Sequence, residues 1–304
     1  MIPLNPEQAQ LPTSIALGSF DGLHSGHQSV INTITKNSHG IPTVVSFWPH
    51  PREVLFGESR LRLDLPSEKA FLLHPLGIQQ LVLIPFNSEL AEMTPDIFFR
   101  KILVQKLQAK QIAIGENFKF GKDRKGDAST LKNLAIKENI EVCIVPIIKD
   151  ELGRMSSSRI RDALKEGNIQ SAKKLLNRPY SFEGKVVKGK GIGNTIGWPT
   201  ANLEVDGRKF LPALGVYAAW VSIKDTEKKL LAVMNLGPQP TIDPKSPSAV
   251  EVHLLDKNID LLGKLLRVEP VMRIRSQERF PSIEHLRNQI AIDAMKAKSV
   301  LLNH

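Results

Sequence analysis

Apolar and polar positions in the first half of the chain follow two alternating rhythms. Short apolar runs, TSIALG, IPTVVSF, IQQLVLIPF, AKQIAIG and IEVCIVPII, read as strands. Between them lie stretches in which apolar residues recur at helical spacing. HQSVINTITKN sets Val30, Ile31 and Ile34 on one face, and SEKAFLLHPLG has Ser67 as its expected cap. TPDIFFRKILVQKL has Thr94 as cap and Pro95 at its first position, and DASTLKNLAIKEN reads as a further helix. Such alternation predicts a parallel sheet covered by helices, because each parallel crossover needs a connection long enough to hold a helix. Ligands of such sheets bind at the carboxyl ends of the strands.

Near Pro179 the pattern changes. From YSFEGKVVKGKGIGN onward, GVYAAWVSI, LLAVMNLG, AVEVHLLD and LLRVEPVMRI read as short strands separated by Gly, Pro, Asp and Asn turns, which predicts a small antiparallel barrel or sandwich. After Pro281, SIEHLRNQIAIDAMKAKSVLL places Ile283, Leu286 and Ile290 on one face and predicts a closing helix against the barrel. The expected fold is α/β followed by β, with a Rossmann-like domain over residues 1–180 and a β-barrel with a terminal helix over residues 181–304.

Composition agrees with two domains: 304 residues at 41% hydrophobic content can fill two ordinary cores. No apolar run approaches the roughly 20 residues of a membrane span, and MIPLNPEQAQLP lacks the regions of a secretory signal. A cytoplasmic protein without a membrane partner is expected. The single cysteine, Cys143, permits no intrachain disulfide and reads as a small core residue. The net charge of +10 favours polyanionic partners, but no basic block exceeds two residues, so nucleic acid is a minority reading.

The candidate chemistry begins at LGSFDGLHSGHQ. Gly22 and Gly26 let the backbone turn tightly, and the following helix offers free N–H groups and a positive dipole end to an anion. His24 and His27 there suit phosphate binding; a weak metal site and a simple helix cap are the alternatives. Pro49-His50-Pro51 reads as a rigid loop, with His50 a lesser candidate. GENFKFGK fails as a P-loop, because five residues separate Gly115 from Gly121 and Asp123 stands in place of the required Ser or Thr. Gly191 and Gly193 fail as a dinucleotide fingerprint, because Pro199 blocks the helix that motif needs. In PTAN, Thr200 and Asn202 alternate onto one side of an extended segment and offer two hard oxygens suited to Mg2+.

GSFDGLHSGHQ, FWPHPREVL, GENFKFGKDRKGD and SSSRIRDAL together resemble the successive motifs of the bacterial bifunctional riboflavin kinase/FAD synthetase family. PTAN, LGVYAAWV, NLGPQPTID, VEVHLLD and RFPSIEHLRNQIAIDA extend the likeness to nearly the whole chain. The resemblance implies an amino-terminal nucleotidyltransferase of the HxGH type, transferring AMP from ATP to FMN with release of pyrophosphate. It implies ATP contacts from Gly18, Phe20, Asp21, His24, His27, Ser157, Ser158 and Arg161. It places Asn117 and Phe120 beside the flavin, with strand-end packing as the plain alternative for Phe120. For the second half it implies a flavokinase that forms FMN from riboflavin and ATP, with Mg2+ at Thr200 and Asn202 and Glu251 as general base. The partners implied are these small molecules, with no nucleic acid.

The chain departs from the family pattern at five places. Asn194 and Gln239 stand where arginines are usual, Gln277 where a glutamate is usual, and Leu262 where a tyrosine is often found; Ser158 replaces a threonine but keeps the hydroxyl. Losing two guanidinium forks affects phosphate binding or loop order. Two rivals follow: a synthetase whose kinase half is impaired, and a basic nucleic-acid-binding or regulatory protein on the same scaffold.

Overall fold

The computed structural model describes residues 1–57, 61–189, 197–224, 226, 228–237, 250–257 and 259–303. Asn194, Gln239, Gly191 and Gly193 lie outside the described residues. Contacts divide the chain into two compact units, Met1–Ser157 and Ser158–His304. This division falls earlier than the change of rhythm near residue 180.

The first unit contains β1 (Thr13–Leu17), α1 (Ser25–Lys36), β2 (Ile41–Trp48), α2 (Pro51–Phe56), α3 (Pro66–Leu73), β3 (Gln80–Pro85), α4 (Ser88–Ala91) and α5 (Pro95–Phe98). It continues with β4 (Ala109–Gly115), the hairpin β5 (Lys119–Phe120) and β6 (Gly126–Asp127), α6 (Ala128–Ile136), β7 (Glu141–Val145) and the hairpin β8 (Lys149–Asp150) and β9 (Gly153–Arg154). The main sheet is parallel throughout, in the order β3-β2-β1-β4-β7. Every residue of β1 is buried. Ile15 and Leu17 enter one core with Phe98, Phe99, Ile102 and Leu103, while Ala16 enters the other with Ile31, Ile34 and Leu73. That two-sided burial explains the continuous apolar run.

Three local expectations are corrected here. Ser67 is not the cap of α3: Leu65 holds that position, Pro66 opens the helix, and Glu68 Oε2 accepts the Leu65 N–H at 2.8 Å. Pro49 to Pro51 is not only a loop: His50 Nδ1 accepts the Arg52 N–H at 3.1 Å and caps α2. Cys143 is only partly buried, because β7 is the edge strand of its sheet, and its thiol donates to Glu141 Oε1 at 3.3 Å. The Thr94 cap on α5 is present, and the helix continues as a wider π-helical stretch over Phe99–Lys106.

The second unit begins with α7 (Ser157–Lys165, sharing Ser157 with the first unit) and α8 (Ile169–Leu176). It then forms a closed barrel from β10 (Phe182–Val187), β11 (Ala201–Glu204), β12 (Gly215–Ile223), β13 (Leu230–Leu236), β14 (Val250–Leu254) and β15 (Leu265–Arg275). The order around the barrel is β10-β11-β14-β13-β12-β15, with antiparallel neighbours. Alternate residues fill the interior: Ala232, Met234 and Leu236 from β13, and Val250, Val252 and Leu254 from β14. This period of two separates an apolar inner face from an outer face free to carry chemistry.

The closing helix spans Ile283–Leu302 and packs on the outer faces of β12, β13 and β15. Its contact stripe is Ala294, Ala297 and Leu301, set against Ala218, Trp220, Leu231 and Val233. Ile283 is exposed, and Leu286 and Ile290 are only half-buried, so the predicted stripe does not make the main contact. Small alanines win because they let the helix approach large barrel side chains closely.

Candidate functional site

In the first unit the strand order reverses direction beside β1: the chain goes from β1 to β2 on one side, and β4 lies on the other. That is the switch point at which open parallel sheets bind ligands. The turn after β1 carries His24, the first turn of α1 carries His27, and the turn after β4 carries Asn117. All face one cavity of about 1040 Å³, which Phe47, Trp48, Phe118 and Arg154 also line.

His24 is the N-cap of α1, and its Nδ1 accepts the His27 N–H at 3.4 Å. The cap therefore uses one ring nitrogen as an acceptor and leaves the proton on Nε2, available to a ligand. The two imidazoles stack with centroids 3.7 Å apart, and the Phe20 ring meets His27 edge-on at 5.3 Å. Burial, with nearby Arg154 next, lowers the His24 pKa to about 4; burial and then His24 itself push His27 well below the usual histidine range. Both rings are neutral at pH 7 and act on an anion through N–H donors. His27 Nδ1 is buried with no hydrogen-bond partner among the described residues. Gly26 permits this packing, since a Cβ there would lie 3.1 Å from His24 Cε1.

The remaining predicted contacts divide between turn and scaffold. The Gly18 N–H donates to the Val45 carbonyl at 3.1 Å, which pins the start of the turn. Asp21 is buried and accepts the Leu63 N–H on Oδ1 at 2.9 Å, while its carbonyl accepts the Ser157 hydroxyl at 2.8 Å. Asn117, with its amide carbonyl turned to accept, receives Arg154 Nη2 at 2.7 Å. Phe120 is 5% exposed and packs against Phe98 and Phe118, so it belongs to the core as well as to the cavity wall. Ser158 and Arg161 stand on α7 in the second unit, where the buried Arg161 lies 5.8 Å from the Phe210 ring.

Three cations in this cavity carry no sequence signal. Lys69 is buried, donates to the Ser19 carbonyl at 2.7 Å, and has its pKa lowered by burial. Arg62 is buried, pairs with Glu53 and lies 5.8 Å from the Trp48 ring. Arg154 comes from β9, more than a hundred residues beyond the histidines. None of the three sits in a motif, because each is delivered by a separate element.

The second candidate site lies on the outer face of the barrel. Asn202 on β11, Glu251 on β14 and Asn235 on β13 are register partners in one row across three neighbouring strands. Their inward neighbours Leu203, Val250 and Leu236 are buried, so the row faces away from the core. Glu251 Oε2 accepts from Asn235 Nδ2 at 3.3 Å. His253 Nδ1 donates to the Pro199 carbonyl at 2.7 Å, and its ring meets Trp198 edge-on at 5.0 Å; this anchors the segment carrying Thr200.

The Asn202 amide has no hydrogen bond to another described residue, and a Cβ on Gly189 would come within 2.0 Å of its Nδ2. Asn202, the register partner of Glu251, and Thr200 two residues before it offer neutral oxygens that suit a magnesium ion keeping water and phosphate oxygens as most of its ligands. Among the described residues no group of three or more His, Cys, Asp or Glu forms a metal cage. Of the departures in this half that are described, Gln277 donates from Nε2 to Asn235 Oδ1 at 2.6 Å and to the Leu236 carbonyl at 2.9 Å, and Leu262 is exposed.

Comparison with known proteins matches residues 6–159 to a family model described as FAD synthetase and residues 176–301 to one described as riboflavin kinase. A bifunctional riboflavin kinase/FMN adenylyltransferase of Haemophilus influenzae is 33% identical over 296 residues, covering 94% of this chain and 93% of that protein. The Escherichia coli K12 protein of the same description is 34% identical over 289 residues, covering 93% and 91%. A solved structure described as a macrolide-efflux protein from Streptococcus pneumoniae has a TM-score of 0.84 and 34% identity, covering 98% of each chain. Among the described residues, no helix is long and apolar enough to cross a membrane.

Proposed function

Since the chain belongs to the bifunctional riboflavin kinase/FMN adenylyltransferase family, making FMN from riboflavin and FAD from FMN, we propose that the two reactions are served by separate sites, one in each half of the sequence. Residues 1–180 serve adenylyl transfer and residues 181–304 serve the kinase reaction, with ATP as co-substrate in both and Mg2+ as the metal. The net charge of +10 is then matched to polyanionic substrates rather than to nucleic acid, in a cytoplasmic setting.

In adenylyl transfer the FMN phosphate attacks the α-phosphorus of ATP, and the bond to the leaving pyrophosphate breaks. No covalent enzyme intermediate is needed, so the protein's task is alignment and stabilisation of charge on the leaving group. His24 Nε2–H, His27 and the free N–H groups opening α1 supply donors, with Gly18, Phe20 and Asp21 shaping the turn that holds them. Ser157, whose hydroxyl donates to the Asp21 carbonyl at 2.8 Å, stands beside that turn. Asn117 and Phe120 hold the flavin against the wall formed with Phe118.

In the kinase reaction the ribityl hydroxyl of riboflavin attacks the γ-phosphorus, its proton passes to Glu251, and the bond to ADP breaks. Glu251 suits this role because a carboxylate within hydrogen-bond reach both orients and deprotonates a hydroxyl. Thr200 and Asn202 would hold magnesium, whose chemistry when bound is to shield the phosphate charge. The observation that carries this assignment is the row Asn202, Glu251, Asn235 on one outer barrel face.

The test is a product assay: riboflavin, ATP and magnesium are incubated with the protein and the flavins are resolved. Both FMN and FAD are expected. FAD from added FMN, with no FMN from riboflavin, would mean that the second unit is catalytically impaired.

A further inference from the structure

Both imidazoles at the opening of α1 are neutral at pH 7, so they offer a phosphate hydrogen bonds but no formal charge. Lys69 brings a charge to the same cavity from α3, where it is only 7% exposed. Its Nζ donates to the Ser19 carbonyl at 2.7 Å, in the turn between β1 and α1 that also carries His24. Among the described residues Lys69 makes no other hydrogen bond, so two of the three ammonium protons are left for a ligand. The ammonium stands close to His27: after burial and His24, it is the next influence that lowers the His27 pKa.

The carboxylates around Lys69 do not complete its shell. Glu68, its neighbour in the chain, is turned back onto its own helix, where Oε2 accepts the Leu65 N–H at 2.8 Å. Burial opposes the charged form of the lysine, and Asp21 and Asp64 in the same cavity wall favour it without taking a hydrogen bond from Nζ. A buried ammonium bonded through one proton costs free energy until a further acceptor meets it.

We infer that Lys69 is a phosphate-binding residue of the adenylyl-transfer site, held by the Ser19 carbonyl so that its remaining donors meet the leaving pyrophosphate beside His24 and His27. The inference rests on the histidine turn being the phosphate site. The rings then supply directed donors and the lysine supplies the charge. Negative charge grows on the pyrophosphate as its bond to the α-phosphorus breaks, and a cation already fixed in a buried site stabilises that charge without reorganising.

Four proteins are compared: wild type, Lys69→Met, the double variant Lys69→Met/Asp64→Asn, and His27→Ala. Binding of inorganic pyrophosphate with magnesium, binding of FMN, FAD synthesis from FMN and thermal melting are measured for each. The double variant removes one positive and one negative charge, so it keeps the net charge of the cavity and spares Asp64 an uncompensated burial. In both lysine variants pyrophosphate affinity and kcat for FAD synthesis should fall about ten- to a hundredfold, the scale of one charge-assisted hydrogen bond, with FMN affinity little changed.

Wild-type pyrophosphate affinity in the double variant would mean that the lysine only balances charge in the cavity wall. Equal losses of FMN and pyrophosphate binding would mean that it only props the turn, and either result would overturn the inference. Wild-type pyrophosphate affinity in His27→Ala would instead overturn the reading of the turn as the phosphate site.

Discussion

His24 and His27 are joined by a single hydrogen bond, main-chain N–H to imidazole Nδ1 at 3.4 Å, and by a ring stack at 3.7 Å. The bond makes His24 a helix cap through Nδ1 and leaves Nε2 for the phosphate contact proposed above. The cap and the proposed phosphate contact therefore do not compete for the same atom.

The two duties separate by substitution. His24→Asn keeps a good capping side chain but loses the Nε2 donor, so FAD synthesis from FMN should fall by at least about a hundredfold, the scale of one lost transition-state donor, with the melting temperature nearly unchanged. His24→Ala should lose the activity and in addition about 1 kcal/mol of stability from the missing cap. FMN formation from riboflavin should survive both. Equal activity in His24→Asn and wild type would show that the ring does no more than cap.

The neutral histidines set a pH dependence. Because the folded-state pKa of His24 is depressed to about 4 and the unfolded value is near 6.5, the unfolded chain binds the proton first as pH falls. The contribution of the buried neutral ring is complete above about pH 6.5 and declines as pH falls toward about 4. His27 adds a loss of the same sign. Chemical denaturation at pH 7.5, 6 and 5 should show stability falling, with the fall reduced in His24→Asn. ATP phosphates beside the rings would favour the charged form, so titration calorimetry near pH 6 in buffers of different ionisation enthalpy should register proton uptake on ATP binding.

At the barrel site, Glu251→Gln should abolish FMN formation by at least about a hundredfold, as loss of a general base does, while leaving FMN to FAD conversion intact. Thr200→Ala and Asn202→Leu should act through the metal. Their FMN formation should need more magnesium to half-saturate, and raising magnesium should recover part of the rate. If both variants keep the wild-type magnesium requirement, these oxygens do not hold the ion.

The features legible in the sequence are those governed by local periodicity. TSIALG reads as a strand because both faces of β1 are buried, and LLAVMNL reads as a strand because one face lines the barrel. The HxGH turn and PTAN are contiguous, so their chemistry can be read in place. Contacts assembled across the chain leave no such trace. Lys69, Arg62 and Arg154 reach one cavity from three separate elements. Gln277 and Asn235 meet only because β15 delivers residue 277 beside β13. The closing helix misleads in a different way: its apolar moment is small in effect because Ala294 and Ala297, rather than the larger Ile283 and Ile290, face the barrel.

That helix is fastened by charge as well as by alanines. Asp293 is 2% exposed and accepts Arg275 Nε at 2.9 Å, Arg275 Nη2 at 2.8 Å and Gln289 Nε2 at 2.9 Å. Arg275, at the end of β15, also donates to the Ser276 carbonyl at 3.0 Å and lies over the Phe280 ring at 5.3 Å. Removing only the acid would leave a guanidinium mostly cut off from water with no compensating charge. Asp293→Ala should therefore cost about 3–5 kcal/mol in denaturant unfolding of the second unit. The pair itself is worth less than this cost, since desolvating both ions offsets much of their attraction. The double variant Arg275→Met/Asp293→Leu should accordingly be more stable than Asp293→Ala alone. Additive losses in the double variant would show that the two residues stabilise the helix independently and that the ion pair is incidental.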